Sequence, residues 1–95
     1  MHVITRKRLH EFAAKHRGSA EPLGVWYAIM SKTDFGSFSE LKRVWRSVDK
    51  VGKFTVFDIG GNKFRLIAAI HYNRKKVYIR HMLTHVEYDN GKWKE

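Results

Sequence analysis

The sequence of 95 residues contains no cysteine and only one proline. Without cysteine, the chain can form neither a disulfide framework nor a thiolate metal site. The opening segment MHVITRKRLHEF lacks the apolar stretch of a secretory signal, and the chain has no long apolar run or apolar-faced basic helix. We therefore expect a cytoplasmic protein without membrane attachment. The length predicts a single domain over residues 1–95.

Acidic residues are also scarce. The chain has 9 of them against 19 lysines and arginines, a net charge of +10 with neutral histidines. Such an excess in so short a chain favours a polyanionic partner, because each phosphate that is neutralised releases counterions. Nucleic acid is therefore a better expectation than a membrane surface or an acidic protein.

Helical periodicity dominates the first half of the chain. A first helix is predicted from Leu9 and Phe12 to its end near Gly18. Ser19 can cap a second helix, whose inner face comprises Leu23, Trp26, Tyr27 and Met30. The spacing of Ser37 and Glu40 is that of a capping box, which opens a third helix with an inner face of Phe38, Leu41, Val44 and Trp45. The aromatic residues on these faces are expected in the core.

From Lys53 onward the period changes to two. We predict three strands at Phe54–Ile59, Lys63–Tyr72 and Lys76–Thr84. Hairpin turns are expected at Gly60-Gly61 and at Asn73-Arg74, and residues 2–6 could add a short strand. The sequence thus predicts an α+β fold, with N-terminal helices packed on a small, mostly antiparallel β-sheet.

Strand alternation predicts one apolar and one basic face of this sheet. A two-residue turn at Asn73-Arg74 pairs position 65 with 82 and position 67 with 80. Arg65 and Arg80 then become diagonal neighbours on the basic, solvent-exposed face, where they can hold one phosphate bidentately. The same register assigns Met82 to the basic face and Leu83 to the apolar face. The alternative is a solvated face whose charges only keep the protein soluble.

Two further predictions concern the ends of the strands. A two-residue turn at Gly60-Gly61 would place Asp58 opposite Lys63. After the last strand come His85 and Tyr88. Histidine titrates near neutrality and can act as a general acid or base, and tyrosine can stack on a base or orient a hydroxyl. These residue types beside two arginines favour a site that cuts RNA.

Two segments carry a family resemblance at this point. FDIGGNKFRL at residues 57–66 and VYIRHMLTHVEYD at residues 77–89 resemble the HigB family of toxins from bacterial type II toxin–antitoxin systems, and the resemblance extends over essentially the whole chain. It implies a RelE/ParE-like fold and an mRNA interferase, which cuts messages in the ribosomal A site. The implied partners are mRNA, ribosomal RNA and a HigA-like helix-turn-helix antitoxin. The protein would contact DNA only indirectly, through this antitoxin.

The resemblance also implies particular site residues. The catalytic residues would be Arg65, Arg80, His85 and Tyr88. The residues expected to bind the substrate are Asn62, Lys63, Lys76 and Lys92. Asp58 could be a base, but a salt-bridge role is preferred. Three basic clusters would hold ribosomal RNA without reading its sequence: Arg6-Lys7-Arg8, Lys42-Arg43-Arg46 and Arg74-Lys75-Lys76.

The expected reaction needs no cofactor or metal ion, since no cluster of carboxylates or histidines at metal-ligand spacing is apparent in the sequence. The 2′-hydroxyl of the RNA would attack the adjacent phosphate and leave a 2′,3′-cyclic phosphate. Two alternatives remain open at this stage. One is a ParE-like inhibitor of a protein such as DNA gyrase, and the other is an RNA-binding protein without catalytic activity.

Overall fold

Helices precede a strand-rich second half, as the change of period predicts. The computed structural model describes residues 1–94. The elements in chain order are β1 (His2–Ile4), α1 (Lys7–Lys15), α2 (Ala20–Lys32), α3 (Phe38–Val44), β2 (Asp49–Val51), β3 (Phe54–Ile59), β4 (Phe64–His71), β5 (Lys76–Thr84), α4 (His85–Asp89) and a 3-10 turn at Lys92–Lys94. None of the helices in this described part is long and apolar enough to cross a membrane.

The strands form one mixed sheet in the order β1-β5-β4-β3-β2. Strands β2 to β5 make an antiparallel meander, while β1 pairs with β5 in parallel. The α+β prediction is confirmed, including the three main strands and a short first strand. Strand β2 and helix α4 were not predicted, because three and five residues are too few to show a period.

Helices α1, α2 and α3 cover one face of the sheet. Trp26 and Leu41 are fully buried against Phe57 and Leu66 in the main core. Trp26 and Phe57 meet edge to face, with ring centroids 5.4 Å apart. The expectation that the aromatic stripes are core is therefore confirmed for α2. One inner-face assignment was wrong: Val44 at the end of α3 is 53% exposed.

The helix starts are only partly as predicted. Ser37 Oγ accepts a hydrogen bond from the Glu40 backbone N–H at 3.3 Å, as a cap should. Ser19 does not cap α2 through its side chain; its hydroxyl instead donates to the His16 carbonyl at 2.7 Å. Ser19 is fully buried in the α1–α2 corner, where that bond satisfies the hydroxyl.

The opposite face of the sheet, which we call the outer face, has a second, smaller apolar cluster. Val56 and Ile67 are buried there beneath Trp93, which follows α4. The Trp93 indole N–H donates to the Tyr88 carbonyl at 3.0 Å. The C-terminal segment therefore crosses the outer face and covers part of it, although alternation alone predicts an open basic surface.

A β-bulge changes the register between β4 and β5. Ala69 pairs with Tyr78 as predicted, but Ile67 pairs with His81 and Arg65 with Leu83, so that Arg80 is the extra residue. The predicted pairs 65–82 and 67–80 are therefore wrong. Beyond the bulge the side chains change faces: Met82 packs against the main core and Leu83 against the outer-face cluster, the reverse of the prediction.

The turn between β3 and β4 also differs from the prediction. Ile59 pairs with Phe64 and Asp58 with Arg65, so four residues, not two, form the connection. Asp58 is therefore opposite Arg65, not Lys63. Gly60 and Gly61 have φ angles of +65° and +70°, a left-handed conformation that glycine adopts without steric cost.

Helix α4 begins with a full capping box. Thr84 Oγ1 accepts from the Glu87 N–H at 3.3 Å, and Glu87 Oε1 accepts from the Thr84 N–H at 2.9 Å. We expect Thr84→Ala to lower the free energy of unfolding by about 1 kcal/mol, because the Glu87 N–H in the first turn of α4 loses its side-chain acceptor. Urea denaturation measures this loss, and Thr84→Ser is the control that keeps the hydroxyl. Equal midpoints for the alanine variant and the parent would contradict it.

Candidate functional site

Arg65 is a buried side chain that the surrounding residues hold tightly, with 8% of its surface exposed. Its Nε lies 3.1 Å from Asp58 Oδ1, and its terminal nitrogens donate to Asn62 Oδ1 at 2.6 Å, the Asn62 carbonyl at 3.2 Å and the Phe64 carbonyl at 3.1 Å. The prediction that Arg65 is a solvent-exposed side chain is wrong. The Arg65 guanidinium therefore links the residues of the β3–β4 turn. These partners compensate for its burial, because a buried charge without partners is costly.

Tyr88 lies next to this arginine. The Arg65 guanidinium carbon is 5.4 Å from the centre of the phenol ring, and the Trp93 ring stacks on it at 5.2 Å with an interplanar angle of 15°. Burial and the nearby carboxylate of Asp49 raise the pKa of Tyr88, so the phenol stays protonated at neutral pH. Tyr88 can therefore donate a hydrogen bond. An RNA base cannot stack on the ring face that Trp93 covers.

His85 is paired with a carboxylate one helical turn away. His85 Nδ1 lies 2.8 Å from Asp89 Oδ2, and 43% of the His85 side chain is exposed. A carboxylate on one ring nitrogen fixes the orientation and tautomer of an imidazole and leaves Nε2 to exchange protons. This His85–Asp89 pair is thus suited to general acid–base chemistry. Asp89 was not among the predicted site residues, although its i,i+4 spacing from His85 is visible in the sequence.

Arg80, in contrast, has an exposed guanidinium. Within residues 1–94 the Arg80 side chain makes no hydrogen bond or ion pair; its guanidinium carbon lies 5.7 Å from the centre of the Tyr78 ring. The backbone carbonyl of Arg80, displaced by the bulge, accepts a hydrogen bond from Arg8 of α1. Arg80 is therefore held through its backbone, while its side chain has all of its donors available.

The structure does not bring the two arginine side chains together. Arg65 pairs with Leu83, three residues along β5 from Arg80, which corresponds to about 10 Å of strand. Arg65 is directed at the β3–β4 turn, whereas Arg80 is directed at Tyr78. The expectation that these two guanidinium groups meet over one phosphate is therefore wrong. The bulge is the reason, because it moves Arg80 out of the regular ladder.

A neutral imidazole adjoins Arg80. His81 is half-buried on the outer face opposite Ile67. Burial, with the positive charges of Arg8 and Arg80, lowers the pKa of His81 below its ordinary value. His81 is thus uncharged at neutral pH and can accept a proton or a hydrogen bond. Nothing in its local sequence distinguishes it from the other histidines.

The predicted substrate-binding residues are spread over both ends of the face. The Asn62 side-chain oxygen accepts a hydrogen bond from Arg65. Lys63 is exposed, and its backbone carbonyl accepts a hydrogen bond from the His85 N–H at 3.0 Å. Lys76, at the start of β5, is opposite His71 at the far end. Lys92 is exposed in the 3-10 turn before Trp93.

The remaining basic residues have mixed roles. Arg8 supports the bulge, and Lys42 Nζ donates to the Val48 carbonyl at 2.9 Å and the Arg46 carbonyl at 3.2 Å. Both therefore stabilise the fold, whatever they contact in addition. Arg43 and Arg74 are exposed to solvent.

Comparison with known proteins decides the family. The sequence profile described as HigB_toxin, the RelE-like toxic component of a toxin–antitoxin system, matches residues 19–91. The chain belongs to the HigB toxin family. Its similarity extends beyond the profile to HigB relatives over 92 residues, which is 94% of this chain.

Two of these HigB relatives come from Escherichia coli. The mRNA interferase HigB of strain O6:H1 is 33% identical, and the alignment covers 89% of its length. The mRNA interferase toxin HigB of strain K12 is 36% identical, with 88% of its length covered. The mRNA interferase HigB of Shigella flexneri shows the same identity and coverage as the K12 protein.

The HigB family match includes both segments on which the resemblance was recognised. Residues 57–66 form the second half of β3, the glycine turn and the start of β4, and residues 77–89 form nearly all of β5 and the whole of α4. They are adjacent because β4 lies between β3 and β5 in the sheet. Both segments therefore belong to one continuous part of the structure, formed by β3, β4, β5 and α4.

Proposed function

We propose that this chain is the toxin of a type II toxin–antitoxin system and acts in the bacterial cytoplasm as an mRNA endoribonuclease in the ribosomal A site. The relatives named mRNA interferase cover almost the whole chain. The observation that carries the proposal is an exposed guanidinium, Arg80 on β5, in the same terminal segment as an imidazole that a carboxylate orients, His85 at the start of α4. Phosphoryl transfer needs a charge-stabilising group and a proton-transfer group, and Arg80 and His85 are of these two types.

The proposed reaction is attack of the 2′-hydroxyl on the adjacent phosphorus. A bond forms between O2′ and phosphorus, the bond between phosphorus and O5′ breaks, and a 2′,3′-cyclic phosphate and a 5′-hydroxyl remain. Arg80 stabilises the additional negative charge of the pentavalent transition state. His85 either takes the proton from the 2′-hydroxyl or delivers one to the departing 5′-oxygen.

The spacing along β5 is compatible with these roles. His85 is five positions after Arg80, which corresponds to about 16 Å of extended chain. In this proposal one phosphodiester lies within this interval, and the Arg80 guanidinium, which contacts Tyr78 in the free protein, turns toward it. Arg65 and Tyr88 lie beside the interval. In this proposal Arg65 positions the β3–β4 turn and Tyr88, and Tyr88 donates a hydrogen bond to the substrate.

The His85–Asp89 pair gives a testable prediction about cleavage rate. We expect His85→Gln to lower the single-turnover rate about 10²-fold, because a proton-transfer group is lost. Asp89→Asn should lower it about 10-fold through misorientation of His85, and adding it to His85→Gln should change nothing further. The exposed Glu11 supplies the control variant Glu11→Gln. Additive losses in the double variant would contradict a shared role.

A purified translation system tests the proposed activity. Ribosomes that carry a defined mRNA are mixed with the protein, and primer extension maps any new 5′ ends. Cuts confined to codons in the A site are the expected result. Intact messages together with inhibited supercoiling by DNA gyrase would contradict the proposal, as would bound but uncut mRNA.

We also propose that a HigA-like helix-turn-helix protein is the antitoxin. The basis is membership of a family described as the toxic component of such systems. Induced expression of the chain alone should stop growth, and co-expression of a neighbouring gene for a small helix-turn-helix protein should restore it. The toxin should shift operator DNA in gels only when this partner is present.

A further inference from the structure

We propose that His81 is a second catalytic histidine, the general base that takes the proton from the attacking 2′-hydroxyl. His81 directly follows Arg80 in β5, and His85 lies four positions further along the chain. The inference rests on the proposed function and divides its two proton transfers between two imidazoles. His81 accepts the proton of the 2′-hydroxyl, and His85 delivers one to the departing 5′-oxygen.

The β-bulge places Arg80 and His81 on the same face of the sheet, although successive side chains of a regular strand point to opposite faces. His81 pairs with Ile67, whose side chain is in the outer-face cluster. Arg80 is the extra residue, and its guanidinium carbon lies 5.7 Å from the centre of the Tyr78 ring. Tyr78 pairs with Ala69, two residues after Ile67 and therefore also on the outer face. The bulge thus brings together a guanidinium and an imidazole that a regular strand would separate.

The imidazole of His81 is supported by the sheet and free to bind a substrate. It is half-buried, and the residue opposite it, Ile67, is fully buried. Among residues 1–94 no group forms a hydrogen bond or an ion pair with either ring nitrogen of His81, and neither nitrogen is enclosed by protein atoms. His85 differs, because its Nδ1 is held by Asp89 at 2.8 Å. His81 can therefore offer a ring nitrogen to a substrate hydroxyl.

The surroundings of His81 favour the neutral form of the imidazole, which is the form that a base needs. Burial, followed by the positive charges of Arg8 from α1 and Arg80 from its own strand, lowers the pKa of His81. The residue of β4 that faces it, Ile67, is apolar and contributes no charge. An imidazole that is uncharged at neutral pH can accept a proton from a hydroxyl group.

The adjacency of Arg80 and His81 matches the order of groups in the RNA. The 2′-hydroxyl belongs to the ribose whose 3′-oxygen carries the phosphate, so a phosphate at Arg80 would have this hydroxyl next to it. In this proposal His81 takes the proton as the bond between O2′ and phosphorus forms, and His85 protonates O5′ as its bond to phosphorus breaks. The attacking and leaving oxygens lie on opposite sides of phosphorus, so two separate groups are needed. His81 and His85 are about 13 Å of extended chain apart.

The test replaces the departing 5′-oxygen at the cut with sulfur. A thiolate leaves without a proton, so this message no longer needs the general acid but still needs the general base. On the normal message, His81→Gln and His85→Gln should each lower the single-turnover rate on ribosomes about 10²-fold. On the sulfur message, His85→Gln should cut about as fast as the parent, whereas His81→Gln should stay about 10²-fold slower. The control His10→Gln, at an exposed position of α1, should cut both messages at the parent's rate.

Urea unfolding verifies that the His81 variants are folded, with His81→Asn as a second variant. Their midpoints should stay near that of the parent, because the imidazole makes no hydrogen bond within residues 1–94. Restoration of His81→Gln by the sulfur message would make His81 the acid, and a His81 variant that cuts the normal message at the parent's rate would remove it from the reaction. Either result overturns the assignment while the nuclease function stands. If the parent cuts neither message, the proposed function fails, and the assignment fails with it.

Discussion

Arg80→Ala is expected to lower the rate of RNA cleavage about 10³-fold and to leave the midpoint of urea unfolding unchanged. The loss is large because Arg80 is the donor proposed to stabilise the charge that develops on the phosphate. The stability is unaffected because the Arg80 side chain is exposed. The hydrogen bond that holds the bulge is donated by Arg8 to the Arg80 backbone carbonyl, which the substitution leaves in place.

The control for this prediction is Arg17→Ala, which removes the same charge from an exposed position after α1. Arg80→Lys should recover only a small part of the rate, since lysine is a point charge and lacks the bidentate geometry. A variant that cuts as fast as the parent would remove Arg80 from the reaction. Rates are compared on ribosomes at saturating protein concentration, so that weaker binding does not imitate slower chemistry.

Arg65→Ala is expected to destabilise the protein by about 2–4 kcal/mol, which lowers the unfolding temperature by roughly 10–25 °C for a domain of this size. The guanidinium is buried and holds Asp58, Asn62 and the Phe64 carbonyl. Its removal leaves these acceptors partly buried without a donor and also removes a contact of the Tyr88 ring.

Urea unfolding of Arg65→Ala and Arg65→Lys measures this effect. The lysine variant can still pair with Asp58 but not with both Asn62 oxygens, so its loss should be intermediate. Arg17→Ala again serves as the control, because its arginine is exposed. An Arg65→Ala variant with the stability of the parent and no cleavage would contradict the structural role and restore Arg65 as a direct phosphate ligand.

The regular parts of the fold could be predicted because each element follows its own period. The helix with Leu23, Trp26 and Met30 and the strand with Leu66, Ala68 and Ile70 both have one apolar face. The bulge could not be predicted in this way. Met82 and Leu83 are both apolar, so alternation is satisfied in either register, and only the packing of β5 against both clusters selects one.

The burial of Arg65 also could not be predicted from the sequence. Arginine is rarely buried, and exposure is the sound expectation from sequence. Its burial depends on a four-residue turn, on the Asp58 carboxylate opposite it and on a C-terminal segment anchored by Trp93. These contacts join residues 35 positions apart, whereas the local pattern around Arg65 reports only its strand.

The residues of the candidate site could be proposed from the sequence, but their arrangement could not. Helix α4 holds His85 and Tyr88 next to the start of β4, where Lys63 accepts the His85 N–H. The Asp89 partner follows from simple helical spacing.

The most direct test of the proposed reaction is a single 2′-deoxy substitution in the message. An mRNA is prepared with 2′-hydrogen at the nucleotide whose 2′-oxygen would attack, and its cleavage on ribosomes is compared with that of the all-ribose message. The account predicts that the substituted site is not cut, while the all-ribose site yields a 2′,3′-cyclic phosphate and a 5′-hydroxyl. Cleavage of the deoxy site at the normal rate, or a product with a free 3′-hydroxyl, would contradict it.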